Sequence, residues 1–132
     1  MKYILMMNST NLGVGRYRAW SEHDRQAHMA VLMQINNELR ESGEFVANEG
    51  LAGPELAKVV HLQKDGLPVT DGIFPESKEF LLGYWIVDVK TPERAYAIAS
   101  LIATAPGPDG VPTNMPIEVR QITSRQHSSN EG

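Results

Sequence analysis

An α+β fold with strand–helix–strand–strand–helix–strand order is predicted by three observations. Two stretches, opening at Ser21 and Thr91, carry helix-capping residues and apolar residues on one side only. Short runs rich in apolar residues at 2–8, 44–51, 58–63, 80–89 and 117–122 read as strands. Glycine, proline and Lys-Asp-Gly punctuation separates these runs into pieces of the right length.

Each element follows from its own residues. Residues 2–8 are apolar without a 3.6-residue period and read as a strand buried on both faces. Two glycines and two asparagines between Asn8 and Tyr17 predict a loop. Ser21 and Asp24 have capping-box spacing, so hydroxyl and carboxylate can satisfy free amides at the start of a helix. Ala27, Val31, Ile35 and Leu39 recur every four residues as its buried stripe, and Gly43 stops it as a left-handed cap. Strands at 44–51 and 58–63 follow, then a turn at Lys64-Asp65-Gly66. The strand at 80–89 is the most apolar, interrupted by Gly83, where glycine marks a bulge or a close backbone approach. Thr91 and Pro92 open the second helix, whose inward face is Ala95, Ile98, Ala99 and Ile102 and whose end is Pro106-Gly107-Pro108. Residues 117–122 form a last strand, and the polar stretch 123–132 is expected to fray. Apart from one additional strand and an irregular insertion before the strand at 80–89, the order is ferredoxin-like, β-α-β-β-α-β. Two helices cover one face of such a sheet. The other face is apolar too, so a second copy is expected to bury it in a homodimer.

Composition narrows the function. The 132 residues suit a single domain, placed at 1–122. A net charge of −4 opposes binding to a phosphate backbone, so no nucleic-acid partner is expected. The absence of cysteine removes disulfides, thiolate metal sites and cysteine nucleophiles, which is compatible with a cytoplasmic setting. Neither a signal peptide nor the roughly 20 apolar residues of a membrane helix is found, so no membrane partner is expected. The histidines lack metal-ligand spacing, and Gly13-x-Gly15 is no dinucleotide fingerprint. Neither a metal nor a cofactor is expected.

The chemistry concentrates in two places. His28 falls within the apolar stripe of the first helix, and Asp24 lies one turn before it. A carboxylate beside an imidazole fixes its tautomer and raises its basicity, which suits a general base. The bland alternative is that Asp24 only caps and His28 only borders the core. His61 reads as a structural histidine, and His23 and His127 as solvated ones. The second place is the segment 71–79, Asp-Gly-Ile-Phe-Pro-Glu-Ser-Lys-Glu, which feeds directly into the strand at 80–89. Asp71 is either an Asx-turn residue or an acid, base or ligand anchor at a pocket mouth. Lys78, with Glu76 and Glu79 on either side, forms surface pairs or clamps an anionic group, for which Arg16 is a second candidate. Phe74, Tyr84 and Trp85 offer flat walls for a ring-sized ligand, although core packing is the commoner use of such residues.

The segment 71–79 resembles the signature of the DGPF group of YCII-related (YciI-like) proteins, roughly Asp-Gly-Pro-Phe-x-Glu-Thr/Ser-Lys-Glu. Ile73 stands where that family usually has proline, which leaves the loop less rigid. Gly50-Leu51, Gly83-Tyr84-Trp85 and Glu118-Val119-Arg120 extend the resemblance over 1–122. The resemblance implies a dimeric α/β barrel in which two sheets pack face to face. Two functions are compatible with it. One is a cofactor-independent acid/base enzyme acting on a small organic molecule, with His28 or Asp71 as base. The other is a non-catalytic ligand-binding or accessory module, since DGPF proteins resemble modules associated with sigma factors. Convergence of His28, Asp71 and Lys78 on one cleft would favour the enzyme.

Overall fold

A computed structural model describes residues 1–72 and 79–124. Its elements are β1 (Lys2–Ser9), α1 (Asn11–Arg18), α2 (Glu22–Ser42), β2 (Phe45–Gly50), β3 (Lys58–Leu62), β4 (Pro68–Gly72), β5 (Phe80–Asp88), α3 (Pro92–Ala103) and β6 (Ile117–Gln121), with single 3-10 turns at Pro54–Leu56 and Pro108–Gly110. Strands β2-β5-β1-β6 form one four-stranded sheet, and every pairing in it is antiparallel. This α+β arrangement is consistent with a ferredoxin-like fold, because each helix carries the chain to a strand two places away. Among the described residues, no helix is long and apolar enough to cross a membrane.

The helix ends follow the side chains expected to make them. The Ser21 hydroxyl accepts from the Asp24 amide at 3.1 Å, and Gly43 closes α2 at φ 80°. At α3 the Thr91 hydroxyl accepts from the Arg94 amide at 3.2 Å, and Pro92 opens the first turn. The buried side of α3 is Ala95, Ile98, Ala99 and Ile102, as the spacing requires. On α2 the buried stripe is His28, Leu32, Ile35 and Leu39, rotated from the expected one. Ala27 and Val31 lie at its half-buried border, because the stripe follows a mixed three- and four-residue step rather than a strict four.

Two further differences concern the connections. The expected loop after β1 is helix α1, stabilised because the Thr10 hydroxyl accepts from the Gly13 amide at 3.2 Å. Glycine also fits there sterically: a Cβ on Gly13 would collide with the Ser9 hydroxyl. The strand at Lys58–Leu62 does not join the main sheet. It pairs with Pro68–Gly72 as a separate two-stranded hairpin, so the described part of the insertion expected to be irregular contains a strand. Its turn is the expected one, with Gly66 at φ 82° and the Asp65 carboxylate accepting from the Leu67 amide at 2.9 Å. The polar tail expected at 123–132 lies outside the described residues from 125 onward.

The core lies on one side of the sheet, beneath α2 and α3. Tyr3 and Leu5 of β1 and Trp85 and Val87 of β5 turn toward Leu32, Ile35 and Leu39 of α2 and the inward face of α3. The strands therefore alternate rather than being buried on both sides. The intervening residues Ile4, Met6, Tyr84 and Ile86 face the other way and are only half-buried. One polar chain crosses the core. The Trp85 Nε1–H donates to Asn36 Oδ1 at 2.8 Å, Asn36 Nδ2 donates to Asn48 Oδ1 at 2.8 Å, and Asn48 Nδ2 donates to the Tyr84 carbonyl at 3.0 Å. It links α2, β2 and β5.

Gly83 stands opposite Gly50 where β5 meets β2, and a Cβ built on it would lie 2.9 Å from the Glu49 carbonyl oxygen. That oxygen belongs to backbone and cannot swing aside. Gly83→Val should cost about 1–3 kcal/mol through overpacking and loosen the β2–β5 pairing. A urea midpoint well below that of the parent is the expected result, and superimposable melting curves would contradict it.

Candidate functional site

One end of the sheet gathers the residues of interest. Ser9 at the end of β1 pairs with Phe80 at the start of β5. The chain leaves β1 there to enter α1 and α2, and α3 runs back from the far end to finish there. The first turns of α2, the segment after α3 and the entry to β5 therefore share this end.

His28 is the buried polar residue of the core, 7% exposed. Its Nδ1 lies 3.1 Å from the Pro106 carbonyl oxygen. A carbonyl can only accept, so Nδ1 carries the proton and Nε2 of the neutral ring keeps its lone pair. The orienting acceptor that sequence spacing assigned to Asp24 is thus the Pro106 carbonyl, while Asp24 lies half-buried in the first turn of α2, where its backbone amide donates to the Ser21 hydroxyl. Tyr17 and Trp20 flank the imidazole, with ring centroids 6.2 Å and 5.5 Å away in edge-on arrangements. The two aromatic rings also meet each other at 4.8 Å. Arg25 holds the α1–α2 connection in place by donating to the Arg18 and Trp20 carbonyls while pairing with Glu22. Burial pushes the His28 pKa below the ordinary imidazole value, against a smaller opposing effect of the Pro106 carbonyl. The ring is therefore held neutral, poised as a base rather than as a cation.

A cleft of about 400 Å³ opens at the same end of the sheet, on the β2 side. Leu51, Pro54, Leu56, Phe80 and Leu81 supply apolar walls, and Glu79 supplies a carboxylate. The ladder of β2 extends into this wall, because the Leu51 amide donates to the Leu82 carbonyl at 2.8 Å. Arg18 pairs with Glu55 at 2.6 Å and so ties α1 to the 3-10 turn that forms one side. A larger recess, about 730 Å³, lies at the opposite end among Ser42, Glu44, Asp88 and Arg94. There Arg94 grips Glu44 through two hydrogen bonds of 2.8 and 2.9 Å, which lowers the Glu44 pKa. Those charges are engaged with one another and close the ends of α2 and α3 together.

The other sequence candidates are spread over the molecule. Asp71 has its backbone in β4, opposite Val59. Phe74, Glu76 and Lys78 lie outside the described residues. Glu79 is exposed at the cleft, and Arg16 is exposed on α1. Tyr84 sits half-buried on the sheet face away from the helices, whereas Trp85 is 2% exposed and serves the core through its bond to Asn36. The in–out alternation of side chains is broken inside β5. Phe80 and Gly83 are both buried, because the register with β1 shifts between Met7 and Asn8. Sequence reasoning overlooked Tyr17, which it had placed at the end of a loop, and Trp20. It also overlooked Asn36 and Asn48. The one available signal for Asn36 was a weak helix former beside the buried stripe of α2.

Because the folded-state pKa of His28 lies below that of the unfolded chain, about 6.5, the unfolded state binds more protons at mildly acidic pH. Stability should be independent of this group above about pH 7.5 and should fall as pH drops through 6.5. His28→Phe, which keeps a ring and removes the titration, should flatten that part of the profile. Urea unfolding from pH 8 to 5 checks it, and parallel profiles for parent and variant would refute the assignment.

Among the described residues, no group of three or more His, Asp or Glu side chains has the arrangement of a metal site. No individual curated protein matches the chain. The family model of the YCII-related domain matches residues 1–117, nearly the whole of the described fold, and the chain belongs to that family.

Proposed function

We propose that this chain works as a homodimer of the dimeric α/β-barrel type, binding one small organic molecule per copy in the cleft between 51–57 and 79–81. The observation that carries the ligand reading is the composition of that cleft. Leucine, proline and phenylalanine walls surround a single carboxylate among the described lining residues. Such a site suits a ring-sized molecule that is cationic or a hydrogen-bond donor. The pairing is supported by the sheet face away from the helices, where Ile4, Met6, Tyr84 and Ile86 are half-buried within the chain and, among the described residues, no helix packs. A stable pairing of this kind buries at least about 1,000 Å².

A catalytic role is favoured by one further observation, the geometry of His28. A neutral imidazole with Nδ1 occupied by a carbonyl and Nε2 carrying its lone pair has the protonation state that proton abstraction without a cofactor requires. In that reading His28 is the base and Asp71 a second ionisable group.

Benzylamine is a suitable probe for the cleft. Titration followed by ¹H–¹⁵N correlation spectra should shift the amides of Leu51, Ala52, Ala57, Glu79 and Leu81. Glu79→Gln should weaken binding about tenfold, the loss expected for a charge-assisted hydrogen bond at a partly exposed site. Shifts confined to other regions, or unchanged affinity in the variant, would overturn the assignment.

A further inference from the structure

The β3–β4 hairpin is an unusual structure for a chain to leave in water. It is a two-stranded sheet apart from the main one, and an isolated hairpin of that size is marginal by itself. Val60 is 62% exposed, Leu62 81% and Leu67 61%. By strand alternation Lys58, Val60 and Leu62 share one side of β3, so that side reads base–apolar–apolar.

The complementary pattern lies on the open face of the main sheet. Cross-strand register places Glu49, Tyr84, Met6 and Glu118 in one row and Ala47, Ile86, Ile4 and Arg120 in the next. The first row reads acid–apolar–apolar–acid. Glu118 and Arg120 stand exposed at its β6 margin, while the central apolar residues are half-buried. Two apolar surfaces of one chain, one edged with Lys58 and the other carrying Glu118 beside Arg120 at its β6 margin, are both covered when two copies pair about a twofold axis that sets Lys58 against Glu118. In such pairing each surface meets the other twice.

We infer that the hairpin of each copy docks its Lys58–Val60–Leu62 side onto the open sheet face of a second copy, at the β6 margin beside Glu118. This rests on the pairing proposed above and adds to it the segment that clasps the partner. Asp71 stands opposite Val59 in the same hairpin, so docking carries that position to the partner. Each dimer then has two sites to which both copies contribute.

The chain has no cysteine, so Lys64→Cys provides a unique attachment point at the hairpin turn, outside the docking side. Nitroxide-labelled Lys64→Cys protein is mixed in equal amount with ¹⁵N-labelled parent, and only contacts between copies then broaden the observed amides. Expected is loss of intensity at 3–7 and 117–121, restored by ascorbate. In parallel, Val60→Glu, at an exposed position that leaves the fold intact, should raise the dimer dissociation constant about tenfold or more. A parent that light scattering shows to be dimeric, with no broadening in those strands or no effect of Val60→Glu, overturns the hairpin docking and leaves the pairing standing. A parent that is monomeric overturns both.

Discussion

The rest of the structure depends on the polar chain from the Trp85 indole through Asn36 and Asn48 to the Tyr84 carbonyl. A strand has two faces, and a slip of one residue exchanges them. Apolar residues occur on both faces of β5, so hydrophobicity alone does not strongly select which of Trp85 and Tyr84 turns toward the helices. The indole N–H decides it. Buried without an acceptor, that donor would cost about 1–3 kcal/mol, and the acceptor it finds is on α2. Asn36 in turn is satisfied only when β2 brings Asn48 alongside. One helix and two strands are therefore locked in a single register by three hydrogen bonds. In β5 that register turns Gly83, Trp85 and Val87 toward the core and leaves Tyr84 and Ile86 on the open side.

The same register places the chemistry. With Ser9 opposite Phe80, the first turns of α2, the end of α3 and the entry to β5 meet at one end of the sheet. His28 belongs there because it occupies the stripe of α2 one turn before Leu32 and finds the Pro106 carbonyl from the segment after α3. Its neutrality and its orientation have the same origin, a buried ring held between Tyr17, Trp20 and a carbonyl. The apolar cleft beside Glu79 lies at this end as well, across the sheet edge formed by β2.

Local signals were legible in the sequence, and pairings between distant residues were not. Ser21, Gly43, Thr91 and Pro92 act through neighbours three or four residues away, so their roles could be read directly. The inward face of α3 was legible for the same reason. Helix α1 was hidden because Gly13 and Gly15 are poor helix formers, and what favours Gly13 is its close approach to Ser9 in the preceding strand. Strand β4 was hidden by its shortness and by Pro68, which a hairpin edge tolerates. The partner of His28 lies 78 residues away and is a backbone carbonyl, which leaves no mark in composition or spacing. An Asp one turn earlier made a plausible partner on paper, but the ring's Nδ1 meets the Pro106 carbonyl in the segment after α3.

Helices on one side leave the apolar row of the sheet to be covered from outside the chain, and this is the claim on which the dimeric reading stands. Methionine oxidation tests it directly, since Met6 lies in that row and Met33 is 61% exposed on the outer side of α2. Peroxide oxidation of the two residues can be followed by peptide mass spectrometry over a wide range of protein concentration. The account predicts that Met6 reacts progressively more slowly relative to Met33 as concentration rises through the dimerisation range. A ratio of the two rates that stays constant from dilute to concentrated protein, in a sample that remains folded, would contradict it.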